Sequence, residues 1–174
     1  MPCRAAIALV LVGCMPDDWN GEPYTGPGTV MDTDTDGGTG SAVGFVGSWV
    51  SEGADLSELF AAEPFSYERV EAEFGGNGEY AVTSTAGDGA VYALTGTFVA
   101  EEGEPGAVSL MQVTPYEAEA EGIWQVEGEV LSWEIVQTVP DYGFVPATVE
   151  GGFGTTAGSG LEAGANVQIY RRAP

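Results

Sequence analysis

The chain has 174 residues, a length typical of one domain with a single hydrophobic core. Its 27 acidic residues face four arginines and no lysine or histidine, so the formal net charge is -23. This charge excludes nucleic acid as a partner, because nucleic-acid binding depends on clustered Lys and Arg. The lack of histidine and lysine excludes an imidazole base, an ordinary zinc site and Schiff-base chemistry.

The N-terminal segment combines one arginine, Arg4, with an apolar run over residues 5–12. The run is shorter than the about 20 residues that a helix needs to span a bilayer, so residues 1–13 are predicted to be a signal peptide. It ends in Leu11-Val12-Gly13-Cys14, which resembles the lipobox of bacterial lipoproteins. The resemblance implies cleavage before Cys14, lipid on its thiol, and anchoring in the bacterial cell envelope.

Two further features of this segment bear on location and redox state. The residue after the lipobox cysteine is Met15 and not an aspartate. By resemblance to known sorting signals, this favours the outer membrane over retention in the inner membrane. Cys3 is the only other cysteine, so no disulfide is expected in the folded domain. The alternatives to a lipobox are an ordinary signal peptide with an incidental cysteine, or a buried apolar helix.

Residues 14–43 comprise the acylated cysteine and a stretch rich in Pro, Gly, Thr and Asp without apolar periodicity, which predicts a flexible acidic tether. Within it, Asp32, Asp34 and Asp36 have the spacing of the first half of an EF-hand calcium loop. Val43 occupies the twelfth position of that loop and cannot supply the bidentate carboxylate. We therefore expect a solvated acidic spacer and no specific metal site.

From residue 44 to residue 174, apolar and polar residues alternate in short runs between glycine-rich turns. This period-two pattern is typical of strands that bury one face. Eight strands are predicted, over residues 44–52, 67–75, 79–85, 90–100, 107–114, 118–126, 129–138 and 166–172. Tight turns between neighbours predict an antiparallel meander, and eight such strands can close without exposed edges. The predicted fold class is all-β, an eight-stranded antiparallel up-and-down barrel.

One short helix is expected after the first strand. Asp55-Leu56-Ser57-Glu58 has the pattern of a capping box that opens a helix through Ala62, before Pro64. A second irregular element, over residues 139–165, is long enough to be suspected of function. Because successive loops of an up-and-down barrel alternate between its ends, the helix and the long loop are predicted to share one end. That end would be the mouth, and it would point away from the membrane.

Two motifs resemble elements of the lipocalins. Gly47-Ser48-Trp49 on the first predicted strand resembles their G-x-W element, and an arginine on the last strand resembles the one that stacks over that tryptophan. The resemblance implies a lipocalin-like barrel whose closed end is plugged by Trp49 and Arg171, with Arg172 as the alternative arginine. The lipocalin motif with Asp and Tyr between later strands is not evident in this chain.

No pattern typical of an enzyme or of a cofactor site is found. Glu68, Glu71 and Glu73 do not converge as a catalytic carboxylate pair would, since Glu71 and Glu73 lie beside each other on the presumed outer face. No glycine-rich phosphate loop follows a strand and opens a helix. We therefore expect a protein that is not an enzyme and has no cofactor.

Two functions remain open. In the first, the barrel binds a small hydrophobic ligand through apolar and aromatic side chains on its predicted inner face, helix and long loop. These candidates are Leu59, Phe60, Phe74, Tyr92, Trp124, Trp133, Tyr142 and Phe144. In the second, the barrel is filled by its own side chains, as eight-stranded barrels often are, and the lipoprotein acts structurally or through its acidic surface. The sequence does not identify a protein partner.

Overall fold

A computed structural model describes residues 44–174. The signal peptide, Cys14 and the tether with Asp32, Asp34 and Asp36 lie outside the described residues. The strands of the described part are β1 Gly47–Glu52, β2 Tyr67–Phe74, β3 Glu79–Ala86, β4 Val91–Ala100, β5 Gly106–Thr114, β6 Ala118–Glu127, β7 Val130–Val139, β8 Phe144–Val145, β9 Ala157–Gly158 and β10 Gln168–Arg172.

Eight of these strands form one closed barrel in the order β1-β10-β7-β6-β5-β4-β3-β2, and every neighbouring pair is antiparallel. The predicted all-β, eight-stranded antiparallel barrel is confirmed. β8 and β9 form a separate two-stranded hairpin within the long loop, and the sequence did not predict it. Two-residue strands are too short to show an alternating pattern.

The predicted helix is shorter and starts later than expected. A 3-10 helix covers Gly53–Asp55, and the α-helix, α1, covers Glu58–Ala61. Ser57 is the N-cap of α1, and its hydroxyl accepts a hydrogen bond from the backbone N–H of Phe60 at 3.3 Å. The prediction of Asp55 as the cap is wrong, because its carboxylate is bound to the Arg171 guanidinium at 2.7 Å.

Because the strands form an antiparallel meander, successive loops alternate between the two ends of the barrel. The helical segment and the long loop lie at the same end, where the N–H of Leu59 donates to the carbonyl of Ala165 at 3.0 Å. We call this the lid end. The opposite, plug end contains the short connections from β2 to β3, β4 to β5 and β6 to β7, together with the start of β1 and the end of β10.

Inward side chains fill the barrel as one cluster of apolar and aromatic residues. Phe45 lies at the centre of its plug end, with ring centroids 4.9 Å from Phe74 and 4.8 Å from Trp124 in edge-to-face geometry. Two inward glycines let strands approach closely. A Cβ on Gly96 would lie 2.1 Å from the carbonyl oxygen of Met111, and one on Gly122 would lie 2.0 Å from that of Glu134.

Candidate functional site

The plug end is closed by a tryptophan and an arginine. Trp49 is 1% exposed, and its indole N–H donates to the carbonyl of Phe45 at 2.6 Å. The guanidinium carbon of Arg172 lies 4.3 Å from the centroid of the Trp49 ring. The assignment of Arg171 to this role is therefore corrected to Arg172. Neighbouring residues of a strand face opposite sides, so Arg171 points outward while Arg172 lies beside Trp49 in the register of β1 and β10.

The lid end is closed by α1, which is held down by a buried glutamine. Oε1 of Gln168 accepts a hydrogen bond from the backbone N–H of Ser57 at 2.7 Å, and its Nε2 donates to the hydroxyl of Ser51 at 2.6 Å. Phe60 of α1 is 3% exposed, with its ring 5.7 Å from that of Tyr67. Polar contacts thus fix the helix while Phe60 covers the mouth.

Between its two ends the described barrel contains a small cavity of about 30 Å³. Its lining is mostly apolar and aromatic: Phe60, Phe74, Tyr80, Val82, Leu94, Leu110, Trp133, Ile135, Asn166, Gln168 and Tyr170. Sites for drug-sized ligands have volumes of about 300 to 1,000 Å³, whereas about 10 to 15 Å³ suffices for one water molecule. The cavity therefore has room for water-sized groups only.

A few polar atoms give this cavity a mixed character. Oδ1 of Asn166 and the hydroxyl of Tyr80 are buried without a hydrogen-bond partner among the described residues, although Nδ2 of Asn166 donates to the carbonyl of Ile135 at 2.7 Å. Burial raises the pKa of Tyr80 and of Tyr170 well above the usual tyrosine value. Both phenols therefore stay neutral inside the folded barrel.

The eight candidate ligand residues are distributed over several places. Phe60, Phe74 and Trp133 line the cavity. Trp124 packs on Phe45 at the plug end, and Phe144 is buried in the core cluster. The others contact the core only in part or not at all: Tyr92 and Leu59 are half-buried against it, and Tyr142 is 43% exposed.

Other cavity residues were missed by the sequence reasoning. Tyr80 and Leu94 alternate inward on β3 and β4, so the period-two pattern could have found them. Asn166 and Gln168 are polar residues on the inner side of the last strand segment, and they are 2% and 1% exposed. Polar residues at inward positions run against the apolar pattern, so the sequence carries no signal for them.

The long loop covers part of the outer wall of the barrel and is not confined to the mouth. Glu134 faces outward on β7 and is fully buried, because its carboxylate accepts hydrogen bonds from the backbone N–H groups of Gly154 at 2.5 Å and Thr156 at 2.9 Å. The outward residues Ile123 and Val136 are also fully buried. The loop therefore shields one side of the barrel and is clasped to it by a carboxylate.

Among residues 44–174, no three acidic side chains are gathered so that they could hold a metal ion. None of the helices in that range has the length and apolar character needed to cross a membrane.

The chain was compared with protein-family models, with curated proteins and with solved structures, and no match was found in any of the three comparisons.

Proposed function

We propose that this protein is a membrane-tethered envelope lipoprotein that is not an enzyme and whose filled barrel acts by presenting its outer surface to a partner. The observation that carries the proposal is the size of the internal cavity, about 30 Å³. Of the two functions left open by the sequence, the filled barrel accounts for this volume without any rearrangement. A hydrophobic ligand of ordinary size needs roughly ten times that space.

The closure of both ends supports the same proposal. At the plug end, Trp49 and Arg172 are held by contacts to backbone carbonyls of the segment before β1. At the lid end, Gln168 joins β10 to β1 and to the N-terminus of α1. A ligand that entered past α1 would first have to move Phe60 out of the core, at a cost of roughly 3 to 5 kcal/mol by analogy with truncation of a buried phenylalanine.

Hydrophobic ligand binding remains the second candidate. The observation in its favour is that Phe60, Phe74 and Trp133, three of the residues predicted to line a ligand site, do surround the cavity. Such a ligand would have to displace α1 and break the hydrogen bonds made by Gln168. We rank it below the filled barrel for that reason.

The proposed anchor is the lipid on Cys14. The stretch 15–43 would separate the membrane from the barrel by an average of about 30 Å if it behaves as the flexible coil that its composition predicts. The barrel would then be held close to the bilayer but free to turn toward a partner in the envelope.

Native mass spectrometry of the full chain, extracted from envelope membranes, tests the proposal. The expected spectrum shows a chain that begins at Cys14, carries covalent lipid and retains no other molecule. A retained noncovalent hydrophobic mass would favour the ligand-binding candidate instead. A chain without covalent lipid would contradict the tether.

A further inference from the structure

The outer wall of three adjacent strands carries almost no charge. The outward residues of β3, β4 and β5 are, apart from Glu79 at the start of β3, alanine, threonine, serine, valine and methionine. We call this surface the uncharged face; it consists of Ala81, Thr83, Thr85, Val91, Ala93, Thr95, Thr97, Val99, Ala107, Ser109, Met111 and Val113. In a chain with a net charge of -23, a surface that only faces solvent would be expected to carry acidic residues throughout. The centre of these three neighbouring strands carries none.

Acidic residues border this face on both sides. The register places Glu71 beside Thr83, and Thr83 beside Ala93. On the far side it places Glu121 beside Ser109. Outward glutamates of β2 and of β6 therefore lie along the two edges of the three strands, and on the β2 edge Arg69, which lies beside Thr85, is ion-paired with Glu71. An uncharged stripe three strands wide therefore divides the acidic surface.

The uncharged face also exposes large apolar side chains. Val91, Val99, Met111 and Val113 are 61%, 74%, 57% and 57% exposed. On the other side of the barrel, the long loop covers outward apolar residues such as Val136, which is fully buried. The fold thus buries Val136 of β7, although Val139 at the end of that strand is 49% exposed, and leaves the large outward apolar residues of β4 and β5 uncovered.

A groove runs along this face. It has a volume of about 370 Å³ and lies between Ala81, Thr95, Thr97 and Val113, with Glu73 and Glu79 at its margin. The register of β4 on β5 shifts between Thr95 and Gly96, a bulge that interrupts the pleat there. Bulges re-aim side chains, and this one lies beside the groove.

We propose that the uncharged face is a docking surface for a protein partner that carries small apolar residues at its centre and Lys or Arg at its margin. The apolar centre of the partner follows from the exposed Val and Met side chains, because burying them is favourable. The β-branched residues beside them lose little rotamer freedom on burial. The basic margin follows from charge complementarity with the glutamates along the two edges of the face, of which Glu73 and Glu79 lie at the groove. This inference rests on the proposed function, in which the outer surface is the working part.

The charge of the borders also disfavours a second copy of this chain as the occupant. A two-fold interface on this face would bring the glutamates of β2 and β6 against like charges, because the same patch contributes from both copies. Anionic lipid headgroups are disfavoured by the same repulsion.

The experiment uses the full lipidated chain in nanodiscs, with isotope labels on the methyl groups of Ala, Thr, Val and Met, which cover the face. The probe is the peptide acetyl-Val-Arg-Val-Arg-Val-amide, and the control peptide has neutral citrulline in place of arginine. The Arg peptide is expected to shift the signals of Ala81, Thr95, Thr97 and Val113 in preference to other methyl groups. Its affinity should exceed that of the citrulline peptide roughly threefold, as expected for exposed ion pairs, and the excess should vanish at high salt.

Matched variants separate the face from general electrostatics. Glu73→Gln should reduce the excess affinity for the Arg peptide, whereas Glu102→Gln, the same charge change in a loop outside the face, should not. Met111→Glu should weaken binding of both peptides, because it places a charge in the apolar centre. The methyl spectrum of each variant also reports that it is folded.

Three outcomes overturn the inference. The first is a set of shifts spread evenly over every acidic region. The second is equal affinity of the Arg and citrulline peptides for the protein that retains Glu73. The third is concentration-dependent dimerisation through this face in analytical ultracentrifugation. If the face fails while native mass spectrometry still shows a lipidated, ligand-free chain, only this inference falls. A retained ligand would overturn the proposed function whatever the peptides do.

Discussion

The carboxylate of Glu134 on β7 accepts a hydrogen bond from the backbone N–H of Thr156, which lies 22 residues further along the chain. Glu134 is fully buried and has no arginine partner among the described ion pairs, so backbone N–H groups alone hold its carboxylate. Hydrogen bonds to an ionised acceptor are stronger than neutral ones. This contact fixes the long loop against the outer wall.

Replacing Glu134 should release the long loop. Glu134→Ala is expected to lower the free energy of unfolding by about 2 to 4 kcal/mol, because two buried N–H groups lose their acceptor. Denaturant unfolding measures the loss, and hydrogen exchange should speed up at Gly154 and Thr156. Glu121→Ala, an exposed glutamate on the neighbouring strand, is the control and should leave both measurements unchanged. Equal exchange rates in the wild type and in Glu134→Ala would contradict the clasp.

The plug should depend on Trp49 more than on either arginine. Trp49→Ala is expected to cost about 3 to 5 kcal/mol of unfolding free energy, as truncation of large buried aromatics does. Arg172→Ala should cost about 1 kcal/mol, since it removes the cation stacked on the indole. Arg171→Ala is the comparison variant; it removes only the exposed ion pair with Asp55 and should cost less than Arg172→Ala. A larger loss for Arg171→Ala than for Arg172→Ala in denaturant unfolding would refute the stacking assignment.

Gly122 should not tolerate a side chain. A Cβ at this position would lie 2.0 Å from the carbonyl oxygen of Glu134, so Gly122→Ala must push β6 away from β7. We expect a loss of about 3 kcal/mol or more, at the upper end of the cost of overpacking. Gly76→Ala is the control, because its Cβ would meet nothing within 4 Å. Thermal unfolding of the two variants compares them, and similar midpoints would contradict the close approach of the strands.

Stability should fall at alkaline pH through three buried tyrosines. Burial raises the pKa of Tyr67, Tyr80 and Tyr170 in the folded state above the ordinary value near 10, with the neighbouring phenols Tyr92 and Tyr116 adding to the shift at Tyr67. Below pH 10 the three phenols are protonated in both the folded and the unfolded chain, so their ionisation does not lower the free energy of unfolding. Above pH 10 the unfolded chain loses these protons first, so the free energy of unfolding decreases as pH rises.

The ultraviolet absorbance of tyrosinate tests this pH dependence. The phenols of Tyr67, Tyr80 and Tyr170 should ionise only together with alkaline unfolding, which circular dichroism reports. Tyr80→Phe should move the unfolding midpoint to higher pH, because it removes one of the groups that ionise on unfolding. Ionisation of these three phenols in a chain that is still folded would contradict the prediction.

Cys14→Ala should abolish the lipid anchor. Acylation requires the thiol, so the variant is expected to carry no lipid and to leave the membrane fraction after cleavage, or to remain uncleaved. Metabolic labelling with a fatty acid, followed by membrane fractionation, measures both properties. Cys3→Ala is the matched control and should be lipidated as the wild type is. Incorporation of label into Cys14→Ala would refute the lipobox interpretation.

Local patterns predicted the wall of the barrel well. Val70, Ala72 and Phe74 alternate with glutamates on β2, and this period of two residues is imposed by the pleat itself. Short glycine-rich turns then made each strand the antiparallel neighbour of the next, and closure followed from the number of strands. For the same reason the helix and the long loop could be placed at one end.

Side-chain assignments that depend on partners distant in the chain were less secure. Asp55 looked like a helix cap, but the fold brings Arg171 to it across 116 residues. Gln168 was not singled out in the sequence, yet it bridges Ser51 and Ser57 inside the barrel. Nothing in the residues adjacent to these positions indicates such contacts.

The sequence by itself determined the all-β class, the strand order and the distribution of acidic charge, because these follow from residue spacing and composition along the chain. The tertiary structure alone decided how much empty space the barrel encloses and which outward apolar residues stay exposed. Volume depends on how the side chains of eight strands interdigitate, and exposure depends on where the long loop folds back. Both are sums over contacts between residues far apart in the chain, so no local pattern encodes them.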